Sequence, residues 1–310
     1  MKSPRMKAER ASTDLVEAIR DFVEPYSIET TPREGARVQN YADLVGRGRR
    51  MYIAHIAGTP YNELIALAAR LRQEGLEPVM HVTARDMPSK AALNDVIARY
   101  AGEAGGQQVL LIAGDMPHPT GEFADTISVL RTGILEKHGI KSISLAGHPE
   151  GSKAIGDVRL RQAIIDKNAY AKETSAKLTL VTQFGFEAEP FIAWEKAMRE
   201  DGINSLPIHV GVAGLASFPT LLRFAVECGA GASIRALKSR AGSLAKLATV
   251  AQPDDLVLDL ARHKQKHPES LIQSLHFFPF GGVKKTAEWL SAIADGRIAL
   301  NADASGFSVR

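Results

Sequence analysis

Eight short, dense apolar runs recur along this chain, separated by amphipathic stretches. They cover Tyr26–Thr30, Met51–His55, Glu77–His81, Gln108–Ile112, Lys141–Ala146, Leu178–Thr182, Ile208–Val212 and Ser274–Phe278. Runs of this length and density read as strands. Between them, "YNELIALAARLRQEG" and "PFIAWEKAMREDG" repeat apolar residues at helical spacing and finish at a glycine, as a helix C-cap commonly does. Eight strand–helix alternations predict an α/β fold, a single closed (β/α)8 TIM barrel with its ligand site at the strand C-termini. An open doubly wound sheet is the alternative. It is weakened because no GxGxxG follows the first run and no GxxxxGK[ST] loop occurs anywhere.

At 310 residues and 45% hydrophobic content the chain can bury a large core. No Pro/Gly/Ser-rich linker divides it, so residues 21–310 are expected to form one catalytic barrel, with 1–20 a flexible or peripheral segment. The charge of +3, from 38 basic and 35 acidic residues, gives no warrant for nucleic-acid binding. One cysteine, Cys228, supports neither an internal disulfide nor a thiol zinc cluster and is expected to be a buried structural thiol. "MKSPRMKAERAS" lacks a signal-type apolar region, and no run reaches the length of a membrane span. A cytoplasmic protein without membrane contact is the expectation. Whether it forms a homo-oligomer is left open, because apolar helix faces serve a barrel core and a subunit interface equally well.

A barrel collects its chemistry where the strands end. Glu29, His55, His81, Asp115, His148, Gln183 and His276 fall at those ends. Most are residue types rarely buried without a partner. Glu29, enclosed by strand residues in "YSIETTP", is a candidate general acid, since burial raises a carboxyl pKa. A structural ion pair would suit the same spacing. In "LLIAGDMP", Gly114 permits close backbone approach and Asp115 stands just beyond the run. "FPFGG" followed by Lys284 and Lys285 suits either an anion-binding loop or a tight structural turn. "HKQKH" puts His263 and His267 on one helical face, but it lacks the glutamate of HExxH and does not define a metal site.

In order along the chain, "SIETTPRE", "PVMHVTARD", "VLLIAGDMPHPTGEF", "SLAGHPEG", "KETSAKLTLVTQFGFE", "PIHVGVAGLASF" and "LHFFPFG" resemble the methylenetetrahydrofolate reductase family. The resemblance implies a (β/α)8 barrel carrying FAD. It also implies hydride transfer from NADH or NADPH to 5,10-methylenetetrahydrofolate, giving 5-methyltetrahydrofolate. On this reading Glu29 is the proton donor that opens the substrate ring, and Asp115 lies beside flavin and folate. Gln183 contacts folate or nicotinamide, with Phe184 and Phe278 in the substrate's apolar surround. His55, His81, Asp115, Ala146, His148 and Lys172 are the cofactor-side residues.

The chain departs from the family pattern where flavin contacts are expected. "ETTPR" stands in place of paired phenylalanines and prolines, Ser152 in place of a histidine, and Ile165 in place of an acidic residue. An isoleucine cannot pair with flavin hydroxyls. A flavin-independent reductase, with direct nicotinamide-to-folate transfer, is therefore an alternative to the FAD enzyme. Another pterin-dependent C1 or methyl-transfer enzyme and a noncatalytic folate-binding subunit are further alternatives.

Overall fold

The computed structural model describes residues 4–114, 116–152, 155–227 and 250–309. Asp115 and Cys228 lie outside the described residues. Eight parallel strands close a barrel: β1 (Ser27–Thr30), β2 (Arg50–Ile53), β3 (Glu77–Thr83), β4 (Gln108–Ile112), β5 (Ser142–Gly147), β6 (Lys177–Gly185), β7 (Ile208–Ala213) and β8 (Ile272–Phe278). Each pairs with the next, and β8 closes onto β1 with Ser27 opposite His276 and Ile28 opposite Phe277. The expected (β/α)8 fold is thus the observed one.

The helices that cover the barrel begin with α1 (Pro4–Val23), which buries Ile19, Phe22 and Val23. After it come α2 (Tyr61–Gln73), α3 (Lys90–Ala104), α4 (Asp157–Tyr170), α5 (Glu189–Glu200), α6 (Phe218–Glu227), α7 (Asp254–Lys266) and α8 (Val283–Ala294). Local chemistry sets their limits. Ser89 caps α3 by accepting the Ala92 N–H, and Gly105 ends it at φ +59°, where a side chain would be strained. On α2, Leu64, Ile65, Leu67, Ala68 and Leu71 form the buried stripe that the sequence spacing requires.

Alternation along the strands divides the core into two layers. Ile28, Met51, Ile53, Met80, Val82, Val109, Leu111, Ile143, Leu145, Leu178, Leu180, Val210, Val212, Leu275 and Phe277 join the apolar layer shared with the helices. Inside, Tyr52, Val79, Leu110 and Val181 form a small cluster of their own. The rest of the interior is unusually polar. Tyr52 on β2 hydrogen-bonds Ser144 on β5 at 2.9 Å, and these strands are not neighbours, so the bond crosses the barrel. Ser27, Glu29, His81, His209 and His276 are also buried. Burying this many polar groups is costly without partners, which points to a site rather than to packing.

Candidate active site at the carboxyl end of the barrel

Glu29 is third in the four-residue β1 and sits between two imidazoles. Its Oε1 is 3.6 Å from His81 Nε2, and its Oε2 is 3.6 Å from His276 Nε2. Burial raises the Glu29 pKa, and His81 draws it partly back. Burial brings His81 down to about 4 against the pull of Glu29, and His276 to about 3 with Arg50 adding to the effect. Burial thus favours the acid form of Glu29, between two rings that are neutral at pH 7. Neither Nε2 has a hydrogen-bond partner, so both remain available to the carboxyl or to a ligand above it.

Gln183 reaches the same end of the barrel by a different device. The β6–β7 register slips between Val181 and Phe184, a bulge that accommodates Thr182 and Gln183. Thr182 Oγ1 stabilises it by accepting the Gly211 N–H at 2.8 Å and donating to Gln183 O at 2.8 Å. Bulges of this kind commonly re-aim a side chain beside a site. Gln183 Oε1 is buried without a partner, an acceptor waiting for a donor.

Phe184 packs against Phe278 with ring centroids 5.8 Å apart, and Phe278 stands edge-on to His276 at 4.7 Å. Phe280 extends this cluster to Phe224, stacked at 4.1 Å. An apolar cleft lined by Phe186, Ala213, Phe218 and Leu221 opens beside it. The rings thus join the bulge of β6 to the Glu29 acid through His276.

The β2–β5 side is arranged differently. His55 stacks on Tyr61 at 4.5 Å, and its ring nitrogens face Thr83 Oγ1 at 3.1 Å and Thr59 O at 2.9 Å, with Asp86 also near. Ala146 gives its carbonyl to Lys167 Nζ at 2.6 Å. Lys167 is buried, which lowers its pKa to about 8, while His148, desolvated and beside Lys167, falls to about 4. Lys172 is exposed and follows the last turn of α4, in the connection that enters β6 at its amino end. It therefore stands at the opposite end of the barrel from Glu29, which corrects its expected place beside the cofactor. The motif spacing to Gln183 pointed to Lys172, whereas the buried lysine at the β5 end is Lys167, five residues earlier.

These residues do not fit FAD. Ile165 is 40% exposed and apolar where a hydroxyl partner is expected. Lys172 is remote, Ala146 O is already engaged, and both nitrogens of His55 face protein partners. Among the described residues no group of three or more His, Cys, Asp or Glu is placed to hold a metal ion. No helix among them is long and apolar enough to cross a membrane.

A closed (β/α)8 barrel with a buried acid and two neutral imidazoles at its strand ends defines the class structurally. The family model described as Methylenetetrahydrofolate reductase matches residues 17–242, and the chain belongs to that family. It is similar to Methylenetetrahydrofolate reductase 1 of Schizosaccharomyces pombe (strain 972 / ATCC 24843), 27% identical over 215 residues, which are 64% of this chain and 34% of the relative. Methylenetetrahydrofolate reductase 2 of the same yeast is 25% identical over 295 residues, 85% of this chain and 44% of the relative. The chain spans less than half the length of either yeast protein. A solved structure of an uncharacterized protein from Clostridium thermocellum, described as binding two copies of 5-methyl-5,6,7,8-tetrahydrofolic acid, shares the fold. Its TM-score is 0.54 at 13% identity, covering 87% of this chain and 93% of that one.

Proposed function

We propose that this chain reduces 5,10-methylenetetrahydrofolate to 5-methyltetrahydrofolate with hydride taken directly from NADH or NADPH. The observation that carries this reading is the buried Glu29 carboxyl between His81 and His276, its pKa raised by burial. Family membership supplies the folate chemistry.

The methylene carbon bridges two nitrogens of the substrate. Proton donation from Glu29 to the departing nitrogen assists cleavage of one carbon–nitrogen bond and leaves an electrophilic iminium. Hydride from the dihydronicotinamide then adds to that carbon, giving the methyl group and oxidised nicotinamide. Glu29, left as a carboxylate, regains its proton from solvent. Gln183 Oε1 accepts an N–H from the pterin or from the nicotinamide amide. Phe184 and Phe278 provide the apolar wall against which a flat ring lies. Asp115 keeps the role the family resemblance implies for it, beside the pterin.

Direct transfer requires folate and nicotinamide together in the site. Native protein is expected to show no visible flavin bands, before or after denaturation, and to bind both ligands simultaneously. Flavin released on denaturation would contradict direct transfer while leaving the Glu29 role intact. Tight folate binding without nicotinamide oxidation would overturn the reductase reading itself.

A further inference from the structure

The connection that leaves β4 carries Asp115, and one residue from the end of β3 holds that connection on both sides of it. β3 runs into a single turn of 3₁₀ helix, Ala84–Asp86, with Arg85 at its centre. The Arg85 backbone N–H donates to Ala113 O at 2.9 Å, and its guanidinium Nη1 donates to Met116 O at 3.0 Å. Ala113 and Met116 bracket Gly114 and Asp115 in the sequence. On the return limb, Nε donates to Ala124 O at 3.0 Å. The Arg85 carbonyl accepts the Thr120 N–H at 2.8 Å and the Thr120 hydroxyl at 2.9 Å.

The guanidinium suits this task because its donors are fixed in one plane and reach two carbonyls at once. The start of the connection is also pressed onto β3. Gly114 has φ +90°, and a Cβ there would lie 2.3 Å from Thr83 Cγ2. Thr83 Oγ1 in turn meets His55 Nδ1 at 3.1 Å, which ties this segment to the barrel mouth. The far end has anchors of its own. The Glu122 carboxylate accepts the Lys90 N–H at 2.6 Å, and Phe123 is buried. Residues 116–120 between these anchors are exposed, so the guanidinium bond to Met116 fixes a limb that packing does not. A limb left loose must be ordered when a ligand binds, and affinity falls accordingly.

We propose that Arg85 is a positioning residue for folate, clamping the β4 connection so that Asp115 is presented to the pterin. The folate part of this inference rests on the pterin role given to Asp115 above, and the clamp itself does not.

Arg85→Gln removes the guanidinium bonds to Met116 and Ala124 and keeps the backbone bonds. Arg85→Lys keeps the charge but offers one nitrogen where two are needed. Hydrogen exchange read by mass spectrometry over residues 113–124 tests the clamp with no ligand present. Exchange there is expected to be faster in both variants, with the barrel strands as protected as in the wild type. Titration with 5-methyltetrahydrofolate, and separately with NADH, tests the consequence. Folate affinity is expected to fall about tenfold in both variants while NADH affinity stays within about twofold. A general loss of stability would lower both. In an Asp115→Asn background, the Arg85 substitutions are expected to change folate affinity by no more than about twofold, because the clamp then has no carboxylate to present.

Unchanged exchange in both variants, or wild-type folate affinity in Arg85→Gln, overturns the inference. A tenfold loss that persists in the Asp115→Asn background overturns it too, as does wild-type folate affinity in Arg85→Lys, which would assign the effect to charge. Wild-type folate affinity in Asp115→Asn removes the pterin role of Asp115 and this inference with it. A weakened Asp115→Asn beside an unaffected Arg85→Gln removes the inference alone. A wild type that takes up no folate removes the proposed function and the inference together.

Discussion

Replacing Glu29 with glutamine is expected to slow folate reduction by about 10²–10⁴-fold, the usual contribution of a positioned general acid. The substitution keeps the volume and planarity of the side chain. Both flanking rings are neutral, so an amide there leaves no buried partner charge unpaired. Its NH2 and carbonyl meet the His81 and His276 nitrogens 3.6 Å away, which favours retention of the fold. Folate and nicotinamide affinities are therefore expected to remain near wild type while the hydride step collapses. Single-turnover measurement of nicotinamide oxidation separates these quantities, and an unchanged rate would remove Glu29 from the chemistry.

Gly211→Ala is expected to damage both stability and folate binding. A Cβ on Gly211 would lie 2.5 Å from the carbonyl oxygens of Thr182 and Gln183 and 2.6 Å from the Gln183 carbonyl carbon. All three are backbone atoms, so no side chain can swing aside. The β6 and β7 strands must part at the bulge, breaking the Gly211 N–H bond to Thr182 and moving Gln183. Overpacking of this kind costs about 1–3 kcal/mol. A displaced Gln183 is expected to weaken folate binding by roughly tenfold or more, in line with loss of a buried hydrogen bond. Gly102→Ala in α3 is the control: a Cβ there meets nothing within 4 Å, and stability should hold or rise by up to about 1 kcal/mol. Calorimetry and folate titration of the two variants test the pair. Wild-type affinity in Gly211→Ala would show that the bulge does not position Gln183.

The barrel was legible because its strands are short apolar runs and its helices carry a 3.6 stripe. Glu29, His81 and Gln183 were legible as polar residues ending such runs. The Tyr52–Ser144 bond was not, since only closure of the barrel brings the second and fifth strands face to face. In the sequence, Ser144 within "SISLAG" reads as an ordinary polar residue of a strand. The β6 bulge was equally hidden, because it depends on the Thr182 hydroxyl replacing a ladder partner for Gly211. Lys172 was misplaced because motif spacing carries no account of where a helix stops. α4 ends at Tyr170, so Lys172 turns toward the amino end of β6 while Lys167, within the helix, reaches the Ala146 carbonyl. His276 was visible at the end of the eighth run, yet its role needed the two distances that set it between Ser27 and Glu29.

The most direct test of direct hydride transfer supplies the flavin-free protein with 5,10-methylenetetrahydrofolate and nicotinamide deuterated at the transferable position. The folate product is then read by mass spectrometry. The expected result is 5-methyltetrahydrofolate carrying one deuterium in its methyl group, formed in step with nicotinamide oxidation. Absence of methyl product, or a methyl group formed without deuterium from the nicotinamide, would contradict it.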